Sequence, residues 1–205
     1  MIKSYEELSD THIDVLREIG NIGAGNAASS LASILGERIT IGLPLVRITD
    51  FNTAINAMGG AETMTVGVLI NFSGEASGMI MFLIGMEDTK KILEILLRDY
   101  EDGDEMTEMK LSAIKEIGNI LGASYIGSIE ALTGLKISLS PPYIAIDMAG
   151  ALMSVPIIEF GAIGDKVMFI EESFSGGGSD LRSNVVMFAQ MDTLKLIMER
   201  LGLEI

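Results

Sequence analysis

The chain has 205 residues, one His, no Cys and no Trp, and its 29 acidic residues outnumber its 14 basic residues, for a net charge of −15. The absence of Cys excludes disulfides, zinc–thiolate sites, thiol nucleophiles and iron–sulfur clusters, and a single His excludes a two-His metal site. The negative charge argues against nucleic acid as a ligand, because it repels a phosphate backbone. It suits a protein partner that carries basic patches.

The length suits one large domain or two halves that share a core. Hydrophobic residues make up 48% of the chain, and the mean hydropathy is +0.42. The most apolar stretch, 66–85, is too polar to cross a bilayer, because Asn71, Ser73, Glu75 and Ser77 interrupt it. The first seven residues contain no apolar signal region. We therefore expect a cytoplasmic protein with no membrane insertion.

Two long helices are predicted, one near the start of each half of the chain. The first spans 10–35 and the second 108–133, and each is followed by Gly, a common helix stop. Ser9 and Thr107 are candidate N-caps. Apolar residues recur along the second helix at three- and four-residue steps, as an amphipathic helix requires; they are Leu111, Ile114, Ile117, Leu121 and Tyr125.

The segments after each long helix predict strands and one closing helix. The predicted strands are 38–51, 63–72, 78–84, 136–146, 151–160, 166–171 and 184–189. The closing helices are 87–98 and 192–201, a hairpin turn is expected at 72–76, a solvated linker at 99–108 and a flexible loop at 175–180. The fold class is therefore α+β, with a mainly antiparallel sheet packed against two long helices.

The chain also shows an internal duplication. The word Glu-Ile-Gly-Asn-Ile occurs at 18–22 and again at 116–120, and the ungapped segments 14–44 and 112–142 are identical at 9 of 31 positions. A weaker repeat, Met-Phe, occurs towards the end of each half, at 81–82 and 187–188. This pattern predicts one domain built from repeats at 1–100 and 101–205, related by a pseudo-two-fold axis. The repeated segments 14–44 and 112–142 then occupy equivalent places.

The repeated segments place an acid and an amide on one stripe of each long helix. Asp14, Glu18 and Asn21 are spaced i, i+4 and i+7, and the second copy repeats that spacing with Ser112, Glu116 and Asn119. A solvated helix face explains a single Glu. Asn is a mediocre helix former, and nearby glycines each cost about 1 kcal/mol relative to Ala. Close packing on a sheet explains those glycines, but not an acid and an amide in register in both copies.

Other chemistry fits the chain less well. The segment 23–28 resembles a loose dinucleotide fingerprint, but it is predicted to lie inside a helix and the second copy lacks it. The glycines at 176–178 lack the Lys-Ser/Thr of a P-loop. A metal site at Asp14 and Glu18 stays open, although the second copy has only one carboxylate. His12 is interpreted as an incidental surface residue, since Lys110 aligns with it.

An acid and an amide without a nucleophile or a metal can complete another protein's site. A carboxamide can hold one water for attack on phosphorus, as a glutamine does in small GTPases. A nearby carboxylate can pair with a Lys of the partner. Catalysis would then come from positioning, with the phosphoryl group and Mg²⁺ supplied by the partner and no cofactor held by this chain.

The spacing Asp/Ser-x3-Glu-x2-Asn-x22-Pro, completed by Pro44 and Pro142, resembles the signature of the CheC/CheX/FliY family of chemotaxis phosphatases. Two complete copies in 205 residues resemble its CheC-type members, because CheX-type members carry one functional copy and FliY-type members add a flagellar-switch domain. The resemblance implies an α/β unit with pseudo-two-fold symmetry, and a monomer.

The resemblance implies hydrolysis of the aspartyl phosphate of phosphorylated CheY. Asn21 and Asn119 would each orient the attacking water, and Glu18 and Glu116 would each engage the regulator's active-site Lys. Pro44 and Pro142 would be structural, and the role of Asp14 and Ser112 is less defined. The receptor deamidase CheD is implied as a second partner. Two alternatives stay open: a non-catalytic module that sequesters CheY or CheD, and a metal-dependent hydrolase.

Overall fold

The computed structural model describes residues 5–36, 40–42, 44–97, 103, 105–160, 166–176 and 179–203. The first half contains a 3-10 helix Tyr5–Glu7, α1 Asp10–Leu35, β1 Thr40–Ile41, β2 Leu45–Asp50, α2 Phe51–Ala57, β3 Met64–Gly74, β4 Gly78–Gly85 and α3 Met86–Leu96. The second half contains α4 Glu108–Thr133, β5 Ile137–Leu139, β6 Tyr143–Met148, α5 Ala149–Phe160, β7 Lys166–Gly176, β8 Ser179–Ala189 and α6 Met191–Arg200.

The described strands form one eight-stranded antiparallel sheet in which the two halves meet at the centre. Its order is β1-β7-β8-β4-β3-β5, with β2 also paired to β7 and β6 also paired to β3. Exchanging each strand with its counterpart in the other half reverses this order and leaves the sheet unchanged. The central pair, β4 and β8, runs from Gly78↔Ala189 to Ile84↔Ser183. The predicted α+β class and pseudo-two-fold duplication are confirmed.

Helices cover both faces of the sheet and enclose two apolar cores. One core joins the long helices α1 and α4 and the closing helices α3 and α6 to one face, with Leu16, Ile117 and Ile170 among its members. The other core joins α2 and α5 to the opposite face through residues such as Phe51 and Leu152. Because side chains alternate along a strand, each central strand contributes to both cores.

The two long helices pack against each other in antiparallel orientation. The Asn26 amide donates to the Ser128 hydroxyl at 3.0 Å, and the Ser30 and Ser124 hydroxyls lie 2.8 Å apart. Each helix ends where the prediction placed it, at Gly36 with φ 63° and Gly134 with φ 71°. This positive φ favours Gly, which has no Cβ to clash.

Interior glycines let the long helices approach the sheet closely. A Cβ at Gly20 would lie under 3.0 Å from Val46 of β2, and a Cβ at Gly118 would lie under 3.0 Å from Val68 of β3. The glycine repeated in both copies therefore has a packing reason, as the sequence predicted.

The predicted strand at 151–160 is wrong, because this segment belongs to helix α5. Its buried residues Ala149, Leu152, Met153 and Pro156 recur at three- and four-residue steps. The helical period was hidden because the opposite side of α5 is also apolar, with Val155 and Ile158 exposed. Apolar runs of this length do not distinguish a strand from a helix.

Other predicted elements need smaller corrections. Helix α2 was missed, although the Asp50 side chain caps it by accepting from the Thr53 backbone N–H at 2.8 Å. The predicted strands 38–51 and 136–146 each divide into two short strands. The predicted loop 175–180 is largely strand, since Ser175 pairs with Asp180 and Gly176 pairs with Ser179.

The closing helices lie close to their predicted positions. Helices α3 and α6 agree with the predictions to within two residues. Half of the predicted linker 99–108 lies outside the described residues. Among the helices that the structure describes, none is long and apolar enough to cross a membrane.

Candidate functional site

The two motif stripes lie on the outer sides of α1 and α4. The packed side of each helix carries the apolar residues, such as Leu16 and Ile19 of α1. Opposite them the repeated polar side chains reach the surface: Asp14, Glu18, Ser112, Glu116 and Asn119 are exposed, and Asn21 is half-buried. The amphipathic period of each helix therefore places all three motif residues of a copy on one accessible stripe.

The acid and the amide of each stripe have no partner of their own. Within the described part of the chain, the side chains of Glu18, Asn21, Glu116 and Asn119 make no hydrogen bond or ion pair. A capping or core-bridging role would require such a partner. Both pairs are therefore free to contact another molecule.

The first position of the motif differs between the two stripes. In α1, the Arg17 guanidinium donates to the Asp14 carboxylate at 2.9 Å, and both side chains are exposed. In α4, Lys115 and Ser112 occupy the corresponding positions, and Ser112 offers no charge to pair with Lys115. The cation beside the motif is thus neutralised only in the first copy.

The two stripes form separate candidate sites. The contacts Asn26–Ser128 and Ser30–Ser124 centre the antiparallel crossing near residues 28 and 126. Asn21 and Asn119 each precede that centre by about seven residues in opposite directions, which separates them by about 20 Å at 1.5 Å per residue. The structure therefore brings together the three motif residues of each copy, but not the two copies.

Pro44 and Pro142 lie at the outer part of the sheet rather than on the motif helices. Both are half-buried, and each separates the two short strands of its half. Two residues before each proline the chain stays hydrogen-bonded to the sheet. In the first half Gly42 N–H donates to Ser173 O, and in the second half Ser140 N–H donates to Asn71 O, both at 2.8 Å. Since Pro donates no backbone hydrogen bond, it is suited to such an interruption.

The interpretation of His12 as an incidental surface residue is wrong. Its ring is buried, and its Nδ1 accepts from the Ser9 backbone N–H at 3.1 Å while the His12 backbone N–H contacts the Ser9 hydroxyl. His12 thus completes a capping box at the start of α1. Thr107 occupies the N-cap of α4 without a side-chain hydrogen bond.

A buried polar cluster, which we call the Tyr125 cluster, was missed in the sequence. It consists of Tyr125 on α4, Glu172 on β7 and Ser183 on β8. The Tyr125 hydroxyl donates to Glu172 Oε1, and the Ser183 hydroxyl donates to Glu172 Oε2 at 2.8 Å. The available signal was strand alternation, because Glu172 falls on the same face as Ile170 and Phe174 of the apolar core.

Burial dominates the titration of the Tyr125 cluster. It raises the pKa of Glu172 to about 7, although the hydrogen bonds from Tyr125 and Ser183 act to lower it. Burial and the neighbouring Glu172 charge raise the pKa of Tyr125 well above its ordinary value. Desolvation disfavours the charged form of each group. Among the described residues, no group of three or more His, Asp and Glu is placed to hold a metal ion.

Comparison with known proteins finds a family model that matches both motif segments. The model of the CheC-like family matches residues 12–44 and 109–146, which contain both stripes and both prolines. The resemblance to the CheC family is confirmed.

Two curated relatives extend the CheC-like match. The chain is 28% identical to the CheY-P phosphatase CheC of Bacillus subtilis over 97% of each chain. It is 25% identical to the flagellar motor switch phosphatase FliY of the same organism, over 71% of this chain and 38% of FliY. The chain therefore spans less than half of that longer relative.

Solved structures show the same fold. The crystal structure of Thermotoga maritima FliY matches with a TM-score of 0.73 at 25% identity, covering 96% of this chain and 98% of that one. The middle domain of Helicobacter pylori FliM matches with a TM-score of 0.69 at 12% identity, covering 94% and 99%. At that identity the second match supports the fold alone.

Proposed function

We propose that this chain is a chemotaxis phosphatase that hydrolyses the aspartyl phosphate of the response regulator CheY. The observation that carries the proposal is the presence of two unpartnered Glu/Asn pairs that reach the surface at identical spacing on α1 and α4. The relative named CheY-P phosphatase CheC, aligned over 97% of each chain, supports the same reaction.

In this proposal the amides of Asn21 and Asn119 position the attacking water. A carboxamide carries both a donor NH₂ and an acceptor oxygen, so one side chain can fix both the place and the orientation of a water. Held in line with the phosphorus, that water attacks the phosphoryl group and releases phosphate from the aspartate. The bond from phosphorus to the Asp oxygen breaks, the carboxylate leaves, and the proton that the water loses passes to a phosphoryl oxygen. Since water is the nucleophile, the chain itself supplies neither a nucleophile nor a general base.

The acids Glu18 and Glu116 dock the regulator in this proposal. Each lies one helical turn before its Asn, so a carboxylate paired with a Lys of the regulator fixes the distance between the Asn and the phosphoryl group. Asp14 and Ser112 support the N-terminal end of each stripe, and Pro44 and Pro142 are structural. Mg²⁺ belongs to the phosphorylated partner, where it neutralises charge on the phosphoryl oxygens.

The proposed phosphatase function also specifies the partners. Phosphorylated CheY is the substrate, and CheD is proposed as a second protein partner, in keeping with the family resemblance. We propose that the protein acts as a cytoplasmic monomer, with both stripes on one chain and no nucleic-acid ligand.

The decay of phosphorylated CheY tests the proposal. Wild-type protein should accelerate the decay, and Asn21→Ala and Asn119→Ala should each remove part of the acceleration. The double variant should lose at least about tenfold, because both positioning amides are gone. Asn56→Ala, an exposed Asn on α2 across the sheet, is the matched control and should retain the wild-type rate.

Two results would contradict the proposal. Equal acceleration by the wild type and the double variant would remove the role of the amides. If the wild type bound CheY without accelerating its decay, and the double variant bound equally well, sequestration would replace hydrolysis as the function.

A further inference from the structure

The motif helices are held to the sheet by different chemistry in the two halves. Phe72 of β3 pairs with Leu139 of β5, and Phe174 of β7 pairs with Ile41 of β1, so Phe72 and Phe174 occupy equivalent places. Ile70 and Glu172, two residues earlier on their strands, are therefore also equivalent. Ile70 pairs with Ile80 in the first hairpin, and Glu172 pairs with Ser183 in the second. On the long helices, the 98-residue repeat aligns Ala27 with Tyr125. The first half is apolar where the second half has the Tyr125 cluster.

Tyr125 also joins α4 to α1. A Cβ at Gly23 of α1 would lie under 3.0 Å from the Tyr125 ring, so the ring occupies the space that the glycine leaves. At the equivalent positions of the other helix, Leu121 of α4 replaces Gly23, and Ala27 of α1 replaces Tyr125. This buried ring therefore contacts α1, β7 and Phe82 of β4, and it belongs to the helix of the second motif.

From these contacts we propose that Tyr125 and Glu172 are positioning residues for the second motif, holding the part of α4 that presents Glu116 and Asn119. Asn119 precedes Tyr125 by six residues on the same uninterrupted helix, about 9 Å along its axis. A rotation or axial shift of α4 at Tyr125 moves both motif side chains. The kinetic test of this inference rests on the proposed phosphatase function, whereas the spectroscopic test needs no activity.

The hydrogen bonds of the cluster depend on the protonation of Glu172. The ionised carboxylate accepts from both the Tyr125 and the Ser183 hydroxyls. A protonated carboxyl must donate its own proton to one of them, and that hydroxyl then loses its acceptor. Protonation therefore rearranges the hydrogen bonds that hold the Tyr125 side chain, and with them the position of α4.

Asp88 of α3 and Arg182 of β8 line the same cavity as Glu172, but within the described residues neither side chain forms a hydrogen bond or an ion pair with it. The titratable group facing it from α4 is Tyr125, the polar group from β8 is Ser183, and α1 presents Gly23 behind the ring. On β7 its neighbour Glu171 pairs with Arg47 of β2. Among the described residues, no cation pairs with Glu172.

The predicted consequence is a pH response confined to the second site. With its pKa near 7, Glu172 is about nine-tenths protonated at pH 6 and about one-tenth at pH 8. Activity of the second site should therefore change across this interval. In the first half the positions equivalent to the Tyr125 cluster are Ala27, Ile70 and Ile80, and none of these side chains is ionisable.

Single-site proteins measure this difference. Asn21→Ala leaves only the second site, and Asn119→Ala leaves only the first. After subtraction of the regulator's own decay, the rate of the second-site protein should change about threefold more between pH 6 and pH 8 than that of the first-site protein. Glu172→Gln should remove this difference, and Tyr125→Phe should reduce kcat at the second site with a smaller effect on KM.

Nuclear magnetic resonance tests the positioning without any activity. The backbone amide of Asn119 in the wild-type protein should titrate with the pKa of Glu172, and the amide of Asn21 should not. This measurement needs no variant, so it holds even where Glu172→Gln fails to fold. Parallel titration of both amides, absence of titration at Asn119, or equal pH profiles for the two single-site proteins would overturn the inference. Loss of all phosphatase activity with a titrating Asn119 would instead contradict the proposed function.

Discussion

The two halves of the molecule agree at their surface and differ in their interior. Both long helices present a Glu and an Asn at the same spacing, and both pack a glycine against a Val of the sheet. Below them, Ile70 and Ile80 fill the first half while Glu172 and Ser183 occupy the equivalent pair in the second. The comparison teaches that a duplicated fold can keep its exposed chemistry while one copy acquires a buried ionisable group.

The largest effect is expected when the acidic core residue of the second half is copied into the first. Ile70→Glu places a carboxyl beside Gly122 and opposite Ile80, and neither residue has a side chain that offers a hydrogen bond. We expect destabilisation of at least about 3 kcal/mol, because a buried charge without a partner is strongly unfavourable. Urea unfolding measures it, with Ile70→Leu as the volume-conserving control, expected to lose less than about 1.5 kcal/mol. Equal stability of the two variants would show that the halves tolerate charge alike.

An intermediate effect is expected when the acid is removed from the second half. Folding raises the pKa of Glu172 from its ordinary 4.5 to about 7. Between these values the folded protein binds more protons than the unfolded chain, so the free energy of unfolding falls as pH rises and levels off above pH 7. From pH 5 to pH 8 the wild type should lose about 2 kcal/mol more than Glu172→Gln. Parallel stability curves for the two proteins would contradict the raised pKa.

The smallest effect is expected at the exposed difference between the stripes. Asp14→Ser removes the ion pair with Arg17 and makes the first stripe resemble the second. Since surface ion pairs contribute little, the free energy of unfolding should change by less than about 0.5 kcal/mol, with the difference smaller still in high salt. Thermal unfolding at two salt concentrations measures it, and Ser112→Asp is the reciprocal variant. A loss above about 1 kcal/mol would mean that Asp14 is structural.

The sequence predicted the parts of the fold whose signals are local. Helices α1 and α4 were placed to the residue, because an N-cap residue, a long amphipathic pattern and a following glycine coincide at both. The exposed stripes were also predicted, since exposure follows directly from the helical period. The proposed boundaries of the repeats, at 1–100 and 101–205 within one domain, stay a prediction.

The parts that could not be predicted depend on contacts distant in sequence. Helix α5 is apolar on both its buried and its exposed sides, so its period was invisible without the sheet that it covers. Glu172 becomes distinctive only when folding brings Tyr125, 47 residues earlier, to its carboxylate. His12 was misread although Ser9 was a predicted N-cap, because the third helical position of a capping box normally holds Glu or Gln rather than His.

The central ladder between β4 and β8 has a consequence for how such a chain could arise. All of β4 except its last residue is buried, and one of its two neighbours comes from the other half. A polypeptide with one half alone would expose this apolar edge, and exposed edges recruit further strands. Two identical halves could satisfy one another through a symmetric β4 pairing. Fusion into a single polypeptide makes that association intramolecular and independent of protein concentration, and it leaves each copy free to diverge.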